Sequence, residues 1–345
     1  MSIIIGNTVL RHGVMLAPMA GVTDRSFRRI CHEHGSEYAV SEMVSAKALC
    51  YEQVGKRRES TLMGTAPLAS VTQAEGPMAI QIFGKDPDFM AQAAKMLEDS
   101  SYRGCTSEVP PVAIDINMGC PMRKITGNGE GSALMRAPRL AGQICEAVAK
   151  AVKLPVTVKI RAGWDSESVN APELARILEG SGASLICVHA RTREQLYAPG
   201  IDLGVIEAVK KAVKIPVVGN GDILSSDDAL AMMDKTGCDG VMIGRGAMGD
   251  PWIFSDIIAR LDGKSYIYPT ASERIDTAIS QLDAIIAHKG DRVGIAEGKK
   301  HMAWYLSGVR GAAAARNAIM TARSRDEIIA VLSDIKHEAE EPYEK

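Results

Sequence analysis

The sequence contains few aromatic residues, no closely spaced cysteine pair and no long apolar run. Phe, Trp and Tyr make up 4% of the 345 residues, which gives little support for a surface built on aromatic stacking. The seven cysteines are odd in number and form no Cys-x-x-Cys motif, so neither a disulfide framework nor a zinc site is indicated. We therefore predict no metal site and expect most cysteines to be small buried apolar residues.

Signals for export or membrane insertion are also missing. No apolar run approaches the roughly 20 residues that a transmembrane helix needs. The short apolar run between Met1 and Leu10 has neither a basic leader nor a small-residue cleavage site. We therefore expect a cytoplasmic protein without membrane contact, and nothing in the sequence predicts an obligate protein partner.

The formal net charge of −2 gives no overall sign of nucleic-acid binding, but the charges are unevenly distributed. Between residues 288 and 325 the only acids are Asp291 and Glu297. The same segment, called the basic segment below, carries eight cations: Lys289, Arg292, Lys299, Lys300, Arg310, Arg316, Arg323 and Arg325. The last twenty residues are predominantly acidic. This asymmetry belongs to one region and indicates a local role.

Strand-like runs recur along most of the chain, with helix-like segments between most of them. The runs lie at 14–19, 37–43, 78–83, 113–118, 155–161, 184–190, 216–220 and 240–244. Strands that alternate with helices indicate parallel pairing, and eight such units predict a (β/α)8 TIM barrel. The absence of a Gly-x-Gly-x-x-Gly motif after the first strand counts against a dinucleotide-binding doubly wound sheet.

The strand pattern stops at about Gly263. Residues 265–270 are typical of a linker, and residues 271–332 predict a group of helices. We therefore predict a catalytic barrel domain at 1–264 and a smaller all-helical domain at 265–345 that ends in an acidic tail. Two connections, at 55–77 and 100–111, are longer than a minimal barrel needs.

The predicted strand ends carry the residues of chemical interest, because TIM barrels place their active sites there. The fourth strand ends in Asn117 and Cys120. A lone cysteine or lysine at a strand end is more often structural or solvated, but nearly every predicted strand here ends in polar residues or glycine. The other strand-end residues are Pro18, Met19, Ala20, Gln81, Lys159, Arg161, His189, Asn220, Gly221, Asp222, Gly244 and Arg245.

Glycines after the seventh and eighth strands predict a phosphate site built from backbone N–H groups, with Arg245 as a counter-charge. A flavin would fit this pattern, since Lys159 and His189 would stabilise the charge of its reduced ring. The amides of Gln81 and Asn220 would bind the ring edge. On these positions alone, pyridoxal phosphate remains an alternative cofactor, and Lys159 would then form its Schiff base.

Several motifs, taken together and in order, resemble the tRNA-dihydrouridine synthases, and most of all their bacterial B-type branch. The most specific is Asn117-Met118-Gly119-Cys120-Pro121. The others begin with Leu16-Ala17-Pro18-Met19-Ala20-Gly21 and include Gln81-Ile82-Phe83-Gly84, Lys159-Ile160-Arg161-Ala162-Gly163-Trp164, His189-Ala190-Arg191, Gly219-Asn220-Gly221-Asp222 and Ile243-Gly244-Arg245-Gly246. The resemblance extends from Leu16 to about Tyr305.

The resemblance implies an FMN enzyme that uses NADPH or NADH to reduce uridine in tRNA to 5,6-dihydrouridine. By position, Pro18, Met19, Ala20, Gln81, Lys159, Asn220, Gly221, Asp222, Gly244 and Arg245 match the FMN contacts of the family, with His189 beside the flavin. Cys120 matches the proton donor, and Asn117 and Arg161 match positions that address the nucleotide. The basic segment would then hold tRNA phosphates, although an ordinary solvated helical face remains the alternative.

Two other functions are compatible with parts of the pattern. A barrel flavoenzyme of the dihydroorotate-dehydrogenase kind would act on a free small molecule, and it would not need the basic segment. An RNA-binding protein that has lost its chemistry is disfavoured because Cys120, Lys159 and His189 are all present.

Overall fold

A computed structural model describes residues 2–53 and 65–340. Its strands are β1 Ile3–Ile5, β2 Thr8–Leu10, β3 Val14–Leu16, β4 Tyr38–Val40, β5 Val44–Ser45, β6 Met78–Phe83, β7 Ala113–Met118, β8 Val156–Gly163, β9 Ala183–Thr192, β10 Val217–Asn220 and β11 Gly240–Ile243. Its α-helices are α1 Arg25–Glu33, α2 Ala46–Gln53, α3 Ala66–Ala69, α4 Pro87–Glu98, α5 Arg123–Thr126, α6 Pro138–Ala151, α7 Ala171–Gly180, α8 Leu203–Ala212, α9 Ser226–Thr236, α10 Ile253–Leu261, α11 Ala271–Lys289, α12 Asp291–Tyr305, α13 Ala312–Thr321 and α14 Arg325–Glu340.

Eight parallel strands close into a barrel, which confirms the predicted fold. The order is β3, β4, β6, β7, β8, β9, β10 and β11, and β11 pairs with β3 to complete the ring. Helices lie between most of the consecutive strands, and α10 follows the last one. The helix–strand alternation that the sequence predicts is therefore present.

Two predicted strands are shorter than expected. The first ends at Leu16 because Pro18 has no N–H to donate and the N–H of Met19 instead bonds to the Thr23 hydroxyl at 2.9 Å. The second is β4, which ends at Val40, and the short strand β5 begins only at Val44, outside the predicted run. Between them, the Ser41 hydroxyl accepts the N–H of Gln81 at 2.9 Å in place of a backbone carbonyl, and this interrupts the ladder.

A hairpin that the sequence analysis did not predict covers the other end of the barrel. Strands β1 and β2 pair antiparallel and bury Ile3, Ile5 and Leu10 against side chains from the barrel interior. Gly13 lies so close that an added Cβ would be 2.9 Å from Ile3. The hairpin therefore closes the N-terminal end of the strands and leaves the opposite end for ligands.

Helices α11 to α14 pack around an apolar cluster of their own that includes Ile275, Leu282, Met302, Ile319 and Leu332. Trp252, from the end of the barrel, belongs to the same cluster. Residues 264–270 form neither helix nor strand. The domain boundary at 264/265 stays a prediction.

The two long connections and the acidic end are described only in part. Residues 54–64 of the first connection and residues 341–345 lie outside the described residues. In the second connection, the N–H of Glu108 donates to the carbonyl of Val71 at 2.8 Å, so it packs on the part of the first connection that is described. No helix among the described residues is long and apolar enough to cross a membrane.

Candidate active site

The C-terminal ends of the barrel strands surround a cavity of about 530 Å³. Strand register explains why the predicted residues meet there, because side chains alternate between the barrel interior and the outer helices. All of the predicted site residues line this cavity. They are Pro18, Met19, Ala20, Gln81, Asn117, Cys120, Lys159, Arg161, His189, Asn220, Gly221, Asp222, Gly244 and Arg245.

The loop that carries Cys120 is held from three sides. Asn117 Oδ1 accepts the N–H of Gly119 at 3.2 Å and that of Cys120 at 2.9 Å. Arg161 Nε donates to the carbonyl of Gly119 at 2.8 Å. The hydroxyl and the N–H of Ser132 both donate to the carbonyl of Cys120, at 2.9 and 3.0 Å. These bonds fix where the thiol points.

Burial raises the pKa of the Cys120 thiol, and the charge of Arg161 offsets this only in part. The thiol is therefore protonated at neutral pH. A protonated thiol can donate a proton, whereas a nucleophilic cysteine needs a lowered pKa. The surroundings of Cys120 therefore suit a proton donor better than a nucleophile.

Lys159 and His189 contribute one cation and one neutral ring to the cavity. Lys159 Nζ donates to Asn220 Oδ1 at 2.9 Å, and Asn220 Nδ2 donates to the carbonyl of Met242 at 2.6 Å. Burial lowers the pKa of Lys159. Burial, reinforced by the charges of Lys159 and Arg161, lowers the pKa of His189 far below its usual value, so the imidazole is neutral.

The ends of β10 and β11 form a concave backbone surface. Gly221 has a φ of +126°, which glycine tolerates better than any other residue, and an added Cβ would lie 3.1 Å from the His189 ring. Among the described hydrogen bonds, none uses the backbone N–H of Gly221, Asp222, Gly244 or Arg245. Free N–H groups in a concave turn suit a phosphate.

Arg191 is a residue that the sequence analysis left without a role. It is almost fully buried and binds both carboxylate oxygens of Asp222, at 2.9 and 2.5 Å. Arg245 also donates to Asp222, at 3.1 Å. These bonds lower the pKa of Asp222, which is therefore ionised. Arg191 follows His189 by two positions on β9, so strand alternation could have predicted that both side chains point to the same side of the strand.

Tyr197 and Asp115 were also missed. Tyr197 lines the cavity from an exposed loop and lies 4.8 Å from the Arg245 guanidinium, and nothing in the sequence around it indicates this position. Asp115 is buried below the cavity, two residues before Asn117.

No group of three or more His, Cys, Asp or Glu side chains in 2–53 and 65–340 is arranged to hold a metal ion.

A TIM barrel with a concave glycine-containing turn and a protonated thiol at its strand ends has the arrangement of a barrel enzyme. The family model described as Dihydrouridine synthase (Dus) matches residues 15–340. A probable tRNA-dihydrouridine synthase of Rickettsia conorii is 42% identical over 316 residues, which cover 91% of this chain and 90% of the relative. The tRNA-dihydrouridine synthase B of Shewanella oneidensis is 40% identical, with 88% of each chain covered.

The chain therefore belongs to the dihydrouridine synthase family, and the resemblance to its B-type branch is confirmed. Solved structures agree on the fold. An old yellow enzyme homologue from Zymomonas mobilis superposes with a TM-score of 0.51 at 14% identity, covering 79% of this chain and 94% of that one. Morphinone reductase also gives a TM-score of 0.51 at 14% identity, covering 79% and 91%.

Proposed function

We propose that the protein reduces uridine in tRNA to 5,6-dihydrouridine, with FMN as its cofactor and NADPH or NADH as the reductant. The observation that carries the proposal is the position of Cys120, a protonated thiol held at the mouth of a cavity that also contains Lys159 and His189, in a chain of the dihydrouridine synthase family. The expected location is the cytoplasm, which stays a prediction.

The residues that line the cavity fit FMN. The turn at Gly221 and Asp222 and the turn at Gly244 and Arg245 offer backbone N–H groups to the phosphate. Pro18, Met19 and Ala20 provide a wall without charge, and Gln81, Lys159, His189 and Asn220 provide the polar groups for the ring. Bound there, reduced FMN supplies the hydride for C6 of uracil.

The chain's own residues would divide the remaining work. Lys159, fixed by Asn220, places one positive charge inside the cavity. His189 is neutral, so it contributes a hydrogen bond and no charge. Cys120 holds the proton that C5 of uracil requires, and the bonds at Gly119 and Ser132 keep its thiol directed at the cavity.

Arg161 and Asn117 are the proposed nucleotide-binding residues. Arg161 uses Nε for Gly119 and Nη1 for the carbonyl of Thr192 at 2.9 Å, so Nη2 is the group left for a ligand. Asn117 uses Oδ1 for the Cys120 loop, and its Nδ2 donates to Gln81 Oε1 at 2.7 Å and contacts Met43 Sδ at 3.9 Å. Arg161 therefore has Nη2 left for the substrate, whereas Asn117 would address the nucleotide by giving up its weak contact with Met43.

The basic segment is only partly available for tRNA phosphates. Lys289 pairs with Asp24 at 2.8 Å and with Glu297 at 2.6 Å, and Arg325 pairs with Asp283 at 2.6 Å. Arg292 and Arg323 are exposed on α12 and after α13. These two are the better candidates for phosphate contacts, because a cation already in an ion pair gains less from a second anion.

The central test is Cys120→Ala, with Cys105→Ala as the matched control because Cys105 is also half-buried and lies outside the cavity. We expect Cys120→Ala to bind FMN and to be reduced by NADPH, yet to lose about 100-fold or more in dihydrouridine formation. The control should keep full activity. Mass spectrometry of tRNA digests measures the product, and normal turnover by Cys120→Ala would remove the thiol from the reaction.

The alternative is a barrel flavoenzyme acting on a free small molecule. Arg292→Glu with Arg323→Glu separates the two, since reversed charges should weaken tRNA binding while leaving the cavity unchanged. A tRNA substrate would be contradicted if the enzyme reduced free uracil or oxidised dihydroorotate at full rate and if the double substitution left its activity unchanged.

A further inference from the structure

Below the Cys120 loop, four buried side chains form a single line of hydrogen bonds. Register places them side by side, because Asp115 of β7 pairs with Gln81 of β6 and with Thr157 of β8. Asp115, Gln81 and Thr157 are at most 2% exposed, and Asn117 is 8% exposed. The line therefore lies inside the barrel, and its Gln81 and Asn117 end lines the cavity.

Along this line, each group donates its hydrogen bond toward Asp115. Asp115 Oδ1 accepts from the Thr157 hydroxyl at 2.5 Å, and Oδ2 accepts from Gln81 Nε2 at 2.7 Å. Gln81 Oε1 accepts from Asn117 Nδ2 at 2.7 Å. Asn117 Oδ1 then accepts the N–H groups of Gly119 and Cys120.

The two ends of this line determine the orientation of both amides. An ionised carboxylate only accepts hydrogen bonds, and backbone N–H groups only donate. Gln81 must therefore present its NH2 group to Asp115, which turns its oxygen toward Asn117. Asn117 must in turn present its NH2 group to Gln81, which leaves its oxygen for the Cys120 loop.

We propose that Asp115 is a positioning residue that sets the orientation of the Gln81 and Asn117 amides and, through them, the position of the Cys120 thiol. A reversed Asn117 amide would place its NH2 group against the N–H of Cys120, and a buried donor without an acceptor is costly. The loop would then move away, and the thiol with it. The inference rests on the proposed function only in taking Cys120 as the proton donor.

Asp115→Asn tests the proposal because it keeps the size of the side chain. The new amide has one acceptor for two donors, Thr157 and Gln81, so the orientation of the line is no longer enforced. Thr157→Val is the matched control, since it removes one bond to Asp115 and leaves Gln81 its acceptor.

The readout is alkylation of Cys120 by iodoacetamide in the FMN-loaded enzyme at about pH 8, where Asp115 is ionised. Mass spectrometry follows Cys120, with Cys105 as the internal reference. We expect Asp115→Asn to raise the Cys120 rate at least about threefold, because the loop opens more often. Thr157→Val should stay near the wild-type rate.

Steady-state kinetics on tRNA give a second measure. Asp115→Asn should lower kcat at least about tenfold with little change in KM, because a misplaced acid affects the chemical step rather than tRNA binding. Wild-type alkylation and wild-type kcat in Asp115→Asn would overturn the proposal, and so would a Thr157→Val variant as reactive as Asp115→Asn. If the wild type forms no dihydrouridine, the proposed function fails, but the alkylation result still decides the role of Asp115.

Discussion

Asp115 makes the stability of this protein depend on pH in a direction opposite to that of most carboxylates. Its side chain is fully buried, and burial raises its pKa from 3.8 to about 6. Hydrogen bonds from Thr157 and Gln81 and the charge of Lys159 oppose this shift without cancelling it. The folded state therefore binds a proton at Asp115 more tightly than the unfolded chain does.

The sign and size of the effect follow from these two pKa values. A raised pKa contributes stability that is fully present below about pH 4 and is lost as the pH rises through about 6. The full shift of about two units corresponds to about 3 kcal/mol. Between about pH 7.5 and about pH 5, the contribution of Asp115 to the free energy of unfolding should increase by about 1.4 kcal/mol.

Urea unfolding of the wild type and Asp115→Asn at both pH values isolates this contribution. Other titrating groups are common to the two proteins and cancel in the difference between them. The free energy of unfolding of the wild type, relative to Asp115→Asn, should rise by about 1.4 kcal/mol on going to the lower pH. A difference that is constant across this range, or that falls with pH, would show that Asp115 is not held with a raised pKa.

Other substitutions test separate parts of the structure. Arg28→Met removes the guanidinium 2.5 Å from the buried Glu75 carboxylate and leaves it Arg25 at 3.7 Å, so urea unfolding should show a loss of about 1–3 kcal/mol. In Gly249→Ala the new Cβ would lie 2.4 Å from the Trp304 backbone, so thermal unfolding should begin in the helical part, with a Tm lower by several degrees. In Gly221→Ala the positive φ and the loss of space should raise the Kd for FMN at least about tenfold, measured by fluorescence.

The barrel and its strand ends could be predicted because they depend on local patterns. Strand and helix periods identify the eight units, and closure of a barrel brings every strand end to one rim. Gln81, Lys159 and Asn220 meet in the cavity for that reason, although they are far apart in sequence. Their individual roles could be inferred only from resemblance to the family, because the hydrophobic periodicity of a sequence does not identify the ligand that a residue binds.

The missed features depend on contacts that no local pattern contains. The hairpin of β1 and β2 has only three residues in each strand, too few for a period to be recognised. The bond between Gln81 and Asp115 depends on the register of two strands, which is set by the closed barrel. Arg191 could be placed on β9, but its pairing with Asp222 depends on how the neighbouring strand β10 lies beside it.

The helical part also supports the wall of the cavity, and this changes how its function can be tested. Lys300 Nζ donates to the carbonyl of Gly21, and Lys289 forms an ion pair with Asp24. The N–H of Gly21 donates to the Glu42 carboxylate at 2.5 Å. The same loop brings Pro18, Met19 and Ala20 to the cavity. Deletion of residues 266–345 would therefore remove support for the proposed FMN site together with any tRNA surface. Loss of activity after deletion would not identify a tRNA-binding role, whereas exposed charges such as Arg292 can be reversed while the loop stays in place.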